Sequence, residues 1–160
     1  MAPPITLQPL PHATRSQVFT ALFTYLQTIP SPTGQSWGYV SQYPKIWDEV
    51  DAANQPALML HRGPQIFESK HRFGVTKLQF RANIWIYFRT DNLKTKSTYP
   101  DQLTDQFLDN FEQYFQTDAA DGRFTLGGLV WHAWIDGSVI FDSGINDNQA
   151  IILIPLSILL

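Results

Sequence analysis

TKLQFRANIWIYFR, residues 76 to 89, shows the most regular alternation in the chain. Its even positions, from Thr76 to Phe88, are almost all apolar, while the odd positions, from Lys77 to Arg89, are polar, cationic or aromatic. Side chains of a β-strand point alternately to its two faces, so the pattern predicts a strand with one face in a core. One covered face is typical of an antiparallel sheet.

The length of this strand is a second signal. At about 3.3 Å per residue, a strand over this stretch reaches roughly 46 Å. A domain of this chain's length has a diameter of roughly 40 Å. We therefore expect the strand to cross the whole domain or to project from it, and a projecting strand needs a partner, often from another subunit.

Two amphipathic helices are predicted, one before this strand and one after it. Residues 16 to 29 carry apolar side chains at three- and four-residue spacing, and Pro30 ends the pattern. Residues 100 to 115 form the second helix, with Pro100 in its first turn. Its polar side is an acidic stripe, which is either a solvated helix face or a docking face for a basic partner: Asp101, Asp105, Asp109 and Glu112.

The rest of the chain divides into short strands, loops and an arm. Strands are predicted at residues 37 to 43, 57 to 62 and 150 to 160, with loops at 62 to 74 and 90 to 98. Residues 1 to 13 contain four prolines and predict an extended N-terminal arm. Residues 14 to 160 are expected to form one domain. The last strand is apolar on both faces, which indicates helices on one side and a neighbouring subunit on the other.

The stretch GRFTLGGLVWHAWIDGSVIFDSG, residues 122 to 144, looks like a chemical site but predicts a β-hairpin. Asp136 and Gly137 suit a type I′ turn, in which both central residues have positive φ. Such a hairpin places four side chains on one face of the sheet: His132, Trp134, Val139 and Phe141. A catalytic or metal-bound histidine needs an orienting carboxylate or further ligands, so we interpret His132 as a packing residue.

Composition excludes several classes of function. The net charge of −3 argues against the whole chain being an electrostatic ligand of DNA or anionic lipid. The absence of cysteine excludes disulfides, thiolate nucleophiles and cysteine-based zinc sites, and it fits assembly in a reducing cytoplasm. The proline-spaced start does not resemble a secretory signal, and the C-terminal apolar run is about half the roughly 20 residues that span a bilayer. We expect no membrane partner.

No reaction centre is recognisable. The four histidines, His12, His61, His71 and His132, lack metal-site spacing. Gly127-Gly128 is not followed by Lys-Ser or Lys-Thr, which favours a bend over a phosphate loop. The acids in WDEVD, residues 47 to 51, are interpreted as a solvated loop because the alternating ligands of a cation site are missing. The sequence therefore predicts a protein that is not an enzyme, with no catalytic residue, cofactor or metal.

The odd face of the long strand is the best functional candidate. Its cations and rings, Lys77, Arg81, Trp85, Tyr87 and Arg89, suit either a subunit interface or a sheet that binds single-stranded nucleic acid. We favour the interface because no glycine–aromatic RNA-binding pattern accompanies them. The flanking loops add further candidates for subunit or lumen contacts: Lys70, His71, Arg72, Lys94 and Lys96.

Three segments together resemble the tail terminator, or tail completion, proteins of long-tailed bacteriophages. They are WDEVDAANQPALML at 47 to 60, FTLGGLVWHAWIDG at 124 to 137 and QAIILIPLSILL at 149 to 160. The order of elements from residue 16 to 160 also matches. The arm corresponds to no known part of the family.

The resemblance implies an α+β fold, with two helices packed on one face of a mixed or mainly antiparallel sheet and one long projecting strand or hairpin. It also implies a virion protein, assembled in the host bacterial cytoplasm, that closes into a ring, typically a hexamer, on the head-proximal end of the tail tube. Its partners are then other copies of itself, the tail tube protein and a head-completion or neck protein. Genome DNA passes through the lumen without specific binding. The family supplies no catalytic residue.

Overall fold

A computed structural model describes residues 13–68, 77–91, 93, 99–116, 118–144 and 148–160. The predicted arm at residues 1 to 13 therefore lies outside the described residues except for Ala13. The elements, in chain order, are α1 (Arg15–Leu26), β1 (Tyr39–Ser41), β2 (Ala57–Glu68), β3 (Lys77–Arg89), α2 (Pro100–Tyr114), β4 (His132–Ile135), β5 (Ile140–Asp142) and β6 (Gln149–Leu159). Two single turns of 3₁₀ helix, Trp47–Glu49 and Ala52–Asn54, precede β2.

Six strands of the described chain form one mixed sheet. The order is β1-β2-β3-β6-β4, and β5 also pairs with β6. The β1–β2 pair is parallel, whereas β3 runs antiparallel to both β2 and β6. The fold is thus α+β with a mainly antiparallel sheet, as predicted.

The long strand β3 lies at the centre of the sheet and sets the position of the core. Its even side chains, including Phe80, Ile84 and Phe88, are fully buried, and so is the even face of β6. Both helices pack on this one face: Phe19 of α1 stacks on Phe80 with 5.0 Å between ring centroids, and Phe107 and Phe111 of α2 belong to the same cluster. The alternation of the sequence therefore predicted the core face correctly.

Each helix begins at residues that favour a helix N-terminus. Thr14 caps α1 by accepting a hydrogen bond from the backbone N–H of Gln17, whose side chain accepts from the Thr14 N–H in return. The helix ends at Leu26, three residues earlier than predicted, although Ile29 is still buried. Pro100 occupies the first turn of α2, as expected from the missing N–H of proline.

The predicted loop at residues 62 to 74 was wrong in its first half. Strand β2 continues to Glu68 and forms a long hairpin with β3. The register shifts between Arg62 and Gln65, where a bulge accommodates Gly63 and Pro64. Proline is tolerated there because the outer edge of β2 does not need its N–H for a ladder.

The predicted hairpin at Asp136-Gly137 was also wrong. Strands β4 and β5 do not pair with each other, since both pair with β6. Gly137 has a φ of 117°, but Asp136 has no positive φ, so the turn is not type I′. Phe141 stands opposite Ile152, on the helix-covered side, and does not share a face with Trp134, which stands opposite Ser157. Strand β6 has eleven residues, so it is a longer pairing partner for β4 and for β5 than these two short strands are for each other.

Candidate interaction surface

The side of the sheet that faces away from the helices is only half covered. Residues 43 to 55 fold over its β1–β2 end and form a second, smaller core with Val50, Met59 and Tyr87. The Tyr87 hydroxyl donates to the backbone carbonyl of Lys45 at 2.9 Å. This covering segment contains the exposed acids Asp48, Glu49 and Asp51, predicted as a solvated loop.

The other half of this side has no cover among the described residues, and we call it the open face. The strand register places the following side chains on it, together with the buried Ser157: Gln79, Arg81, Asn83, His132, Trp134, Ile140, Leu153, Pro155 and Leu159. Ile140 is 59% exposed, and Trp134 and Leu153 are half-buried. Apolar side chains that lie together in contact with water are typical of an interaction surface.

A polar cluster fixes one part of the open face. The hydroxyl of Ser157, which is fully buried, donates to Asp136 Oδ2 at 2.6 Å and accepts from Gln79 Nε2 at 3.2 Å. Arg81 lies 3.7 Å from the same carboxylate oxygen. The cluster joins β3, β6 and the segment after β4, so its role is to hold these strands in register. Sequence reasoning missed it because the three elements are far apart in the chain.

His132 is a packing and capping residue, in agreement with its predicted role. Its ring stacks on Trp134 at 5.1 Å, and Nδ1 accepts a hydrogen bond from the backbone N–H of Phe124 at 3.2 Å. The carboxylate of Asp136 is bonded to Ser157 instead. No carboxylate hydrogen-bonds to His132 among the described residues.

The cationic and aromatic residues of β3 share one face as predicted, but that face is not uniformly available. Tyr87 is 4% exposed and Trp85 is half-buried against the covering segment. Arg89 Nε donates to Asp91 Oδ1 at 3.2 Å. Among the described side chains of this set, only that of Arg81 is exposed. The backbone of Lys77 begins β3, but its side chain lies outside what the structure describes.

The remaining predicted site residues fall into two groups. Lys70, His71, Arg72, Lys94 and Lys96 lie outside the described residues. The acidic side chains of α2 are all exposed, on the helix that packs against the opposite side of the sheet: Asp101, Asp105, Asp109 and Glu112. The structure therefore places the acidic stripe and the open face on different sides of the molecule.

A groove of about 760 Å³ lies between the C-terminal ends of the two helices and residues 118 to 127. Asp118 accepts the backbone N–H groups of Thr125 at 2.5 Å and Gly127 at 2.9 Å. Partial desolvation raises the pKa of this carboxyl, but these backbone hydrogen bonds outweigh it and lower the pKa below its ordinary value. The loop that contains Gly127-Gly128 is thus a bend held by Asp118.

The hydroxyl of Tyr25 borders the same groove. It donates to the backbone carbonyl of Tyr114, and burial, followed by the charges of Tyr114 and Asp118, raises the pKa of the phenol. A phenol that remains protonated and a carboxylate committed to backbone N–H groups do not form a nucleophile with a base. The groove is a recess with apolar walls.

Broader comparisons add little to this geometry. Within the described parts of the chain, no three His, Asp or Glu side chains come together in a way that could hold a metal ion. None of the described helices has the length and apolar character to cross a membrane. Neither the protein-family models nor the curated proteins include a match to this chain.

Proposed function

We propose that the protein is a structural component of a long-tailed bacteriophage that forms a ring on the head-proximal end of the tail tube. One observation carries the proposal. The three segments that resemble tail terminator proteins, although separated in sequence, are joined in the fold, because the first and the second both contact the third, which contains β6. Gln149 accepts from Gln55 Nε2 at 2.8 Å and donates to the carbonyl of Trp47 at 3.3 Å, and β4 pairs with β6.

The open face suits contact between copies of the chain. It lies on one side of the sheet and the helices on the other, and in the proposed ring each neighbour binds it through a different surface of its own. Such heterologous contacts produce a ring when the rotation closes. In this proposal the ring is a hexamer that binds the tail tube protein on one side and a head-completion protein on the other. It acts in the virion, performs no catalysis and lets genome DNA through its lumen.

The proposal is tested by adding the protein to purified tail tubes and imaging the tube ends by negative-stain electron microscopy. We expect a collar at one end of each tube. Ile140→Asp, which puts a charge on the open face, should abolish the collar. Asn110→Asp adds the same charge on the exposed side of α2 and should leave it intact. Bare tube ends with the unaltered protein would contradict the proposal.

The alternative is a module that binds single-stranded nucleic acid. Its support is the exposed cation Arg81, on a face that also carries the half-buried rings of Trp85 and Trp134. Binding of this kind weakens steeply with salt and is lost when a stacking ring is removed. A fluorescence titration with oligonucleotides at low salt decides the matter: loss of affinity in Trp85→Ala supports the alternative, and a flat titration rejects it.

A further inference from the structure

Strand β2 has an open outer edge. Strand β1 pairs only with its first three residues, from Ala57 to Met59. Beyond them, over residues 60 to 68, no other strand of the described chain pairs with this side of β2. Unpaired N–H and C=O groups along an edge are a template for another extended segment.

The far part of this edge also exposes large apolar side chains. Ile66 is 39% exposed and stands opposite Gln79, on the side of the open face. Phe67 is 62% exposed and stands opposite Leu78, on the helix side. An edge that displays both backbone and apolar groups to water is an aggregation hazard unless something covers it.

The first described residues of the chain lie beside this part of the edge. Arg15 Nε donates to Gln65 Oε1 at 2.8 Å, and the Arg15 guanidinium lies 5.6 Å from the centre of the Phe67 ring. Ala13 is two residues before Arg15. The described chain therefore begins next to this part of the edge.

The sequence of those twelve residues, MAPPITLQPLPH, suits a strand at a sheet edge. Its centre, residues 5 to 8, alternates apolar Ile5 and Leu7 with polar Thr6 and Gln8. Prolines on both sides of this centre lack N–H donors and so stop a further strand from adding outside it. Twelve extended residues reach roughly 40 Å, whereas the part of the edge beyond the bulge at Pro64, from Gln65 to Glu68, spans roughly 13 Å.

We propose that the open edge of β2 is the docking site for residues 1 to 12 of the same chain, which add to the sheet as a short strand. The apolar side chains of the added strand cover Phe67 or Ile66, and its prolines leave an outer edge that does not pair with other copies. The partner is the chain's own N-terminus because Arg15 ties the start of α1 to Gln65, which gives the segment a high local concentration at the edge.

The test is amide hydrogen exchange of the full chain, followed by mass spectrometry. We expect Leu7→Asp to make exchange in residues 65 to 68 about tenfold faster, because the added strand no longer buries its apolar face. Ala2→Asp, which adds the same charge outside the central four residues, should leave exchange unchanged. A free peptide of residues 1 to 12 should restore slow exchange to the Leu7→Asp protein.

Three results would overturn the proposal. Equal exchange in Leu7→Asp and the unaltered protein would show that this segment does not cover the edge. Changes confined to residues 21 to 28 and 113 to 127 would place the segment in the groove between the helices. Slow exchange that is lost on dilution would assign the edge to a second copy. None of these measurements uses a tail tube, so they stand apart from the proposed function.

Discussion

Gly144 occupies a backbone position that leaves no room for a side chain. Its φ is +66°, and a Cβ at this position would lie 2.3 Å from the carbonyl oxygen of Gln149. We expect Gly144→Ala to lower the free energy of unfolding by at least about 2 kcal/mol, because a left-handed backbone and a clash with backbone act together. Gly34→Ala is the control, since Gly34 also has positive φ but nothing lies within 4 Å of its Cβ position. Equal losses in urea denaturation would contradict this expectation.

Asp118 should make stability depend on acid. Its pKa in the folded protein is lowered by the N–H groups of Thr125 and Gly127, so its contribution is full above the unfolded pKa of about 4 and is lost as pH falls through the folded value. Asp118→Asn should therefore be less stable at pH 7 and lose less stability between pH 7 and pH 3. Asp105→Asn, on the exposed side of α2, is the control. The same pH dependence in Asp118→Asn as in the unaltered protein would show that the carboxylate does not act in this way.

At the scale of secondary structure, the features that depend on local alternation were predicted correctly. The features that depend on which strands pair with each other were not. The alternation of apolar and polar residues identified the buried side chains of β3, because the strands on both sides of it bury the same face of the sheet. The hairpin at Asp136-Gly137 was predicted from a local turn signal, but the side chain of Asp136 is bonded to Ser157, on a strand that comes later in the chain. The sequence of the turn does not indicate that β4 and β5 both pair with β6 and not with each other.

The candidate site was predictable to a similar extent. The shared face of Arg81, Trp85 and Tyr87 followed from their odd positions. The cover over Tyr87 did not, because the hydrogen bond to Lys45 joins residues 42 positions apart. Whether a ring on a sheet face is exposed depends on such loops, whose paths are not periodic.

The cluster around Ser157 gives a test of how the elements hold together. Ser157→Ala removes the hydroxyl that links Asp136 to Gln79 in a buried position. We expect a loss of about 1–3 kcal/mol in the free energy of unfolding, because the remaining polar groups lose their partner away from water. Ser138→Ala, at an exposed serine in the segment between β4 and β5, should change it by less than about 0.5 kcal/mol. Equal effects would mean that the cluster does not hold the strands.

At the scale of the whole molecule, the two sides of the sheet differ in how completely they are covered. The helix side is closed, with both helices sealing one core. The opposite side is closed near β1 and open near β4 and β5, where Ile140 and Leu153 lie. A chain that folds around one side and leaves apolar surface on the other is suited to assembly. The proposed ring follows from this asymmetry together with the resemblance of the three segments.

The most direct test of the ring is the growth of tail tubes from purified tube subunits, followed by electron microscopy with and without the protein. We predict that the protein stops elongation at one tube end and remains bound there in a fixed ratio of copies per end. Tubes that grow at the same rate from both ends, with the protein left in the supernatant, would contradict the account.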